Sequence, residues 1–276
     1  MIKTIFRIAL LVSLLVFSLK LISQKTLIYT DPYKNYKFAQ ELFDKGKFSA
    51  AQFHFKDIID RLANSQDETR INAEYYFAVC TLKLYHQSVE TLLTRFVLDH
   101  PDHPKSKNVY LQLARHYYRM KKFAKSIEYF EKVDQYDLSK EDQNEFLFKL
   151  GYSKFVKKNP EEAKVYLNEL LQRESDYKIP ATYYYSHIAY SEGKYQTSLV
   201  GFKQIAENKM FKSIIPYYIT QILYQQKKYD DLIAYAPSYM DSITDKRKGE
   251  FAKLIGDAYY MKNEYQSAVK YYKIFK

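Results

Sequence analysis

The chain has no tryptophan, a single cysteine, and only six glycines and seven prolines in 276 residues. One cysteine, Cys80, rules out an internal disulfide, and a thiolate zinc site would need partners the chain does not offer. So little glycine and proline cannot punctuate the many tight turns of a β-sandwich or barrel, which points to an all-α protein. Catalytic signatures are missing as well: there is no glycine-rich phosphate loop, no Gly-x-Ser-x-Gly and no His-Glu-x-x-His. Six histidines are present, and only His100 and His103 have metal-like spacing. Asp99 and Asp102 are weak further ligands, and a proline-rich turn between two helix pairs accounts for the spacing. No catalytic residue, metal or cofactor is therefore expected. Cys80 is expected in the core.

What the chain does have is enough apolar surface for a core, with 47% hydrophobic and 27% charged residues. Tyrosine (30) and phenylalanine (18) are abundant, a bias that either a binding surface or AT-rich coding would produce. Residues 1–23 combine Lys3 and Arg7 with an apolar run from Ile8 to Phe17 and small residues near Ser23. That is the layout of a secretory signal, and the run is short for a membrane-spanning helix, which needs about 20 residues. An uncleaved signal anchor is the competing reading, because Leu21 and Ile22 extend the stretch. Residues 24–32 read as a short lead-in. The formal charge is +11, and the mature chain stays basic after loss of Lys3, Arg7 and Lys20. For an exported protein this favours anionic envelope surfaces or acidic proteins over nucleic acid.

Residues 33–276 are periodic. An aromatic or turn residue, a small or branched one three later and a large apolar one four after that recur as Phe48/Ala51/Phe55, His86/Val89/Leu93, Phe123/Ser126/Phe130, Pro160/Ala163/Leu167, Tyr195/Ser198/Phe202, Tyr229/Leu232/Ala236 and Tyr265/Ala268/Tyr272. By subtraction the starts lie 38, 37, 37, 35, 34 and 36 residues apart. Twelve residues before each middle member stand Ala39, Phe77, Ala114, Gly151, Ser186, Thr220 and Gly256, six of them small or slender. A small residue there lets two helices approach closely, so the repeating unit is a helix hairpin. Bulky Phe77 makes the register of repeat two the least regular. The last hairpin ends at Lys276 with no polar helix to cover its apolar face, so a fragment of a longer protein is the expectation.

The stretch Phe96 to Val133, with Asp99-His100-Pro101-Asp102-His103-Pro104, then Tyr110, Leu113, Ala114 and Tyr117, then Lys122-Phe123-Ala124-Lys125-Ser126-Ile127-Glu128-Tyr129-Phe130, resembles the tetratricopeptide (TPR) family. It looks like the envelope branch of that family, the repeats of TolA-binding periplasmic proteins and outer-membrane assembly lipoproteins. The resemblance implies a right-handed superhelical solenoid of about seven hairpins, acting as a non-enzymatic scaffold for protein partners. It also implies a concave groove lined by set positions of each first helix. Carried over, the twelfth position holds Phe43, Thr81, Tyr118, Phe155, Tyr190, Tyr224 and Tyr260. The fifth holds Tyr36, Leu111, Phe148, Tyr183 and Tyr217, with Glu74 and Lys253 in repeats two and seven. Neighbouring positions add Arg115, Arg119, Tyr152 and His187. Tyrosine and arginine anchor protein contacts well, although such rings could equally pack between adjacent first helices.

Lysines gather at the bends within repeats: Lys121 and Lys122, Lys157 and Lys158, Lys227 and Lys228. Stacked repeats would align them into a basic ridge facing an anionic glycan or lipid surface, and lysine is also simply favoured at helix C-termini. The leading reading is an exported scaffold that binds partner proteins or peptides of the cell envelope. The alternatives are a carbohydrate- or surface-binding module and the repeat portion of a larger protein with a further C-terminal domain.

Overall fold

The computed structural model describes residues 31–63 and 65–275, so the signal read over residues 1–23 lies outside the described residues. Regular structure among these residues is helical throughout, in seven successive pairs. They are α1 (Pro32–Asp44) with α2 (Phe48–Arg61), α3 (Glu68–Lys83) with α4 (Val89–Asp99), and α5 (Pro104–Arg119) with α6 (Phe123–Phe130). Next come α7 (Lys140–Val156) with α8 (Pro160–Leu171), α9 (Lys178–Ser191) with α10 (Tyr195–Ile205), α11 (Ile215–Gln225) with α12 (Tyr229–Tyr235), and α13 (Asp245–Met261) with α14 (Tyr265–Phe275). No described helix is long and apolar enough to cross a membrane.

The chain divides within α5 into two compact units, one up to His116 and one from Tyr117. In the first unit α1 packs on α2, α2 on α3 and α3 on α4. In the second, each helix from α6 to α14 packs on the next, and the first helices of neighbouring pairs also touch, α7 on α9 and α11 on α13.

Local chemistry sets the helix starts. Asp31 accepts the Tyr33 N–H ahead of α1, with Pro32 in its first turn. Asp67 caps α3 through Thr69, and Ser139 caps α7 through Asp142. Asn159 caps α8, which then opens on Pro160, Glu161 and Glu162. A short polar acceptor satisfies an N–H with no partner in the helix, and proline loses nothing at a first position.

One device ends every first helix. Gly46, Tyr85, Lys121, Lys158, Gly193, Lys227 and Asn263 all have φ between +56° and +73°. At each, the residue's N–H reaches back three residues and the next N–H reaches back five, as in Gly46 to Phe43 at 2.9 Å and Lys47 to Leu42 at 2.8 Å. This is the Schellman pattern, which satisfies carbonyls that the helix leaves open. Small or branched residues are buried behind each turn. Ala51, Val89, Ser126, Ala163, Ser198, Leu232 and Ala268 are at most 1% exposed, and the large residues Phe55, Leu93, Phe130, Leu167 and Phe202 are fully buried. Each such side chain contributes roughly 1.5–3 kcal/mol.

Repeat two is corrected by one residue. The left-handed residue lies seven beyond the small one in the six other repeats, and counting back from Tyr85 gives Ala78, which is 1% exposed. Phe77 instead faces a cleft between α2, α3 and α4. The shift arises because Val89 lies four residues after the left-handed Tyr85, whereas the corresponding residue of each other second helix lies five after its own. Val89 and Leu93 still reach the core. Cys80 is buried as expected, and burial pushes its thiol up to about 12.

Candidate functional site

In the first unit, Tyr36 is half-buried with its ring 6.0 Å from Phe55 and 6.4 Å from Tyr76. Leu111 is buried, and Arg115 is half-buried near enough to Tyr75 for its charge to act on that hydroxyl. The histidines of the proline-rich turn do not converge. His100 Nε2 lies 2.8 Å from Glu74 and His103 Nε2 lies 3.0 Å from Glu68, two acids one helical turn or more apart on α3. A cleft of about 550 Å³ is lined by Arg70, Phe77, Leu92, Phe96 and His100, and its Glu74 ties Arg70 to His100.

The second unit carries most of the residues singled out in the sequence. Arg119 is exposed at the end of α5. Tyr118 is 5.8 Å from Tyr152, which is 6.1 Å from Phe148 and 4.8 Å from Tyr184. Phe155 continues the series to Tyr184 at 5.2 Å and to His187 at 5.6 Å. His187 meets Tyr218 at 5.3 Å, and Tyr190 meets the same ring at 5.6 Å. Most of these contacts are edge-on or tilted, the arrangements aromatic pairs favour. Tyr183 differs: it is buried and stacked on Phe211 at 4.4 Å, a packing position. Burial raises the hydroxyl pKa of Tyr118, Tyr183 and Tyr184 well above its ordinary value.

A hydrogen-bond chain crosses three first helices of this unit. The Tyr190 hydroxyl donates to Gln221 Oε1 (3.0 Å), Gln221 Nε2 donates to the Tyr217 hydroxyl (2.9 Å), and Tyr217 donates to Glu250 Oε2 (2.7 Å). Burial, and then the bond to Glu250, push Tyr217 up to about 12. Half-exposed rings on α9 and α11 are thereby held in one orientation before any ligand arrives. The arrangement can offer aromatic faces and hydroxyl groups to a bound chain.

Tyr224 and Tyr260 stand apart from this network. Each packs across its own turn on the first residue of the following helix, Tyr224 on Tyr229 at 5.8 Å and Tyr260 on Tyr265 at 5.4 Å. The same five-residue pair recurs as Phe43 with Phe48, Tyr118 with Phe123 and Tyr190 with Tyr195. The aromatic twelfth position thus clasps the hairpin turn in five repeats. Both members of each pair are visible in the sequence, and their constant five-residue spacing, not used in the sequence reading, is the signal that could have tied them together. Tyr184, Tyr218, Gln221 and Glu250 were not anticipated. The first two directly follow Tyr183 and Tyr217, and of these neighbouring tyrosines the groove positions carried over by resemblance took only Tyr183 and Tyr217.

The lysines of the presumed ridge sit at the turns and are all exposed. Lys121, Lys158 and Lys227 occupy the left-handed position, Lys122 and Lys228 precede α6 and α12, and Lys157 follows α7.

No protein-family model matches this chain, and no curated protein does. Solved structures do. A tetratricopeptide repeat protein from Parabacteroides merdae superposes with a TM-score of 0.51 at 13% identity, over 88% of this chain and 91% of that one. The MamA protein gives 0.52 at 19% identity, over 63% and 91%, and pilF of Pseudomonas aeruginosa gives 0.52 at 12%, over 80% and 96%. Joined with seven hairpins that close on one recurring left-handed turn, these likenesses identify the fold of this chain as the tetratricopeptide-repeat fold.

Proposed function

We propose that this chain is a non-enzymatic scaffold that binds partner proteins or peptides on the first-helix face of its second unit, and that it is exported to serve the cell envelope. The observation that carries the binding reading is the chain from Tyr190 through Gln221 and Tyr217 to Glu250, which orders half-exposed rings of α9 and α11 and ties them to α13. Preordered rings lose little conformational freedom on association, so more of their contact energy appears as affinity. The export reading rests on the basic and apolar pattern of residues 1–23.

The test is crosslinking in envelope preparations, comparing the parent chain with a Tyr152→Leu, Tyr217→Leu variant. These substitutions leave the turn pairs Tyr118–Phe123 and Tyr190–Tyr195 in place. Specific crosslinked proteins that disappear from a variant with unchanged helicity and melting support the scaffold. Identical partners in both chains refute the groove, and salt-sensitive capture of purified envelope polysaccharide by both chains favours a surface-binding module. Fractionation of the tagged full chain tests export separately.

A further inference from the structure

The lysines at the bends of the second unit take no part in the groove. Because every pair is a hairpin, successive first helices of this unit run the same way and their bends fall on one edge. Contacts between neighbours hold the bends together. Phe123, which follows the first bend, packs on Tyr152 of α7 at 5.6 Å. Lys164 on α8 pairs with Glu192 in the next bend at 2.5 Å, Tyr190 reaches Gln221, and Lys262 pairs with Asp230 across the last two bends at 2.9 Å.

The charges on this edge are not balanced. Glu162 bonds to Lys154 and Asn159, Glu161 pairs with Lys164, Glu192 with Lys164 and Lys194, and Asp230 with Lys262. Lys121, Lys122, Lys157, Lys158, Lys227 and Lys228 are all exposed and form no ion pair with a described acid. Asp231 and Glu264 are the bend acids left in the same condition, so positive charge prevails along the edge.

Apolar side chains stand out between these lysines. Met120 precedes Lys121, Val156 precedes Lys157 and Met261 precedes Lys262; all three are exposed. A soluble acidic glycan would meet the lysines and leave the methionines in water. A bilayer interface takes both, with lipid phosphates against the ammonium groups and the apolar tips at the acyl boundary. Lysine suits such a layer of headgroups, because it acts as a point charge and needs no fixed fork. We propose that the bend edge of the second unit docks on an anionic phospholipid surface. This edge is distinct from the first-helix face, and the proposal does not depend on the groove reading.

Residues 1–23 carry an apolar run that can enter a bilayer by itself, so the test reads the edge rather than retention of the chain. In the full chain, Met261→Cys receives a polarity-sensitive dye, Cys80 being buried. Tyr136→Cys, at an 82% exposed residue between α6 and α7, carries the control label away from the bends. With vesicles of equal parts phosphatidylglycerol and phosphatidylcholine, the label at Met261 should shift to the blue, with little shift from phosphatidylcholine alone or at Tyr136. Lys157→Gln, Lys158→Asn, Lys227→Asn and Lys228→Gln together should weaken the affinity read from that shift by about tenfold or more. Asparagine keeps the left-handed turn. Should this variant lose helicity, the same weakening on adding salt to the parent replaces it. No shift on anionic vesicles, an equal shift with pure phosphatidylcholine or at Tyr136, or a shift that survives both the four changes and added salt overturns the proposal. Capture of a soluble acidic polysaccharide without a shift on vesicles assigns the lysines to glycan and overturns it as well. Each of these outcomes leaves the groove reading standing.

Discussion

Replacing the three left-handed lysines of the second unit with glycine should stabilise it. Lys121, Lys158 and Lys227 have φ of +56°, +61° and +56°, where the Cβ of an L-residue crowds its own carbonyl at roughly 1–2 kcal/mol. Glycine relieves that strain but gains freedom in the unfolded chain, which returns about 0.4–1 kcal/mol. The net gain is about 0.5–1 kcal/mol per site. All three side chains are exposed, so little packing is lost. The sites lie in different repeats and should add, giving about 2 kcal/mol for the triple variant. For a unit of this size that raises the melting temperature by about 4–8 °C. Urea and thermal unfolding followed by helical circular dichroism measure it. Gly193→Ala is the mirror experiment: open space surrounds its Cβ, yet φ is +73°, so it should lose about 1 kcal/mol. A neutral or destabilised triple variant beside a neutral Gly193→Ala would refute the left-handed turn. A triple Lys→Asn variant tolerates the same backbone without the charges, and so separates turn geometry from any role of the lysines in binding anionic surfaces.

Three further outcomes follow from the packing. Gly256→Ala would place a Cβ 2.7 Å from Tyr272 Cε1, a ring held by the bond from its hydroxyl to Asp257 at 2.8 Å, so unfolding in urea should show a loss of about 1–3 kcal/mol. Cys80, with its thiol pushed up to about 12, should resist thiol reagents at pH 8 in the folded chain and react at once in denaturant; rapid labelling of the native protein would contradict its burial. Lys154 is buried between Glu131 at 2.6 Å and Glu162. Burial lowers the Lys154 pKa, but the bonds to these two acids outweigh it and leave a net rise, and the bond to Lys154 is the main cause of the lowered Glu162 pKa. The Glu162 contribution is present above its ordinary pKa of 4.5 and fades as pH falls through its lower folded value. The stability difference between the parent and Lys154→Met should therefore hold through neutral pH and shrink in acid; a difference that grows below pH 4 would argue against the pair.

The periodic part of this architecture was readable because it depends on residue size at fixed intervals. Ala39, Ala114 and Ser186 must be small for one helix to approach the next, and a recurring size requirement leaves a recurring pattern. Phe77 misled because register was counted from the second helix, while an irregular turn at Tyr85 shifts the first by one residue. The aromatic positions were legible as a series but not in their use. Tyr190 both clasps its turn on Tyr195 and hands a hydrogen bond to Gln221, whereas Tyr224 and Tyr260 show only the clasp among their ring contacts.

The aromatic clasp and the Schellman bonds join residues only three to five apart, so each turn is closed by contacts that the chain can make before any distant segment arrives. Local closure carries a small loop-entropy penalty, and proteins rich in such contacts fold fast. Folding in the second unit can thus begin at any of several equivalent turns and spread by docking one hairpin on its neighbour. Losing one clasp should slow the local nucleus it belongs to and leave the other starting points open.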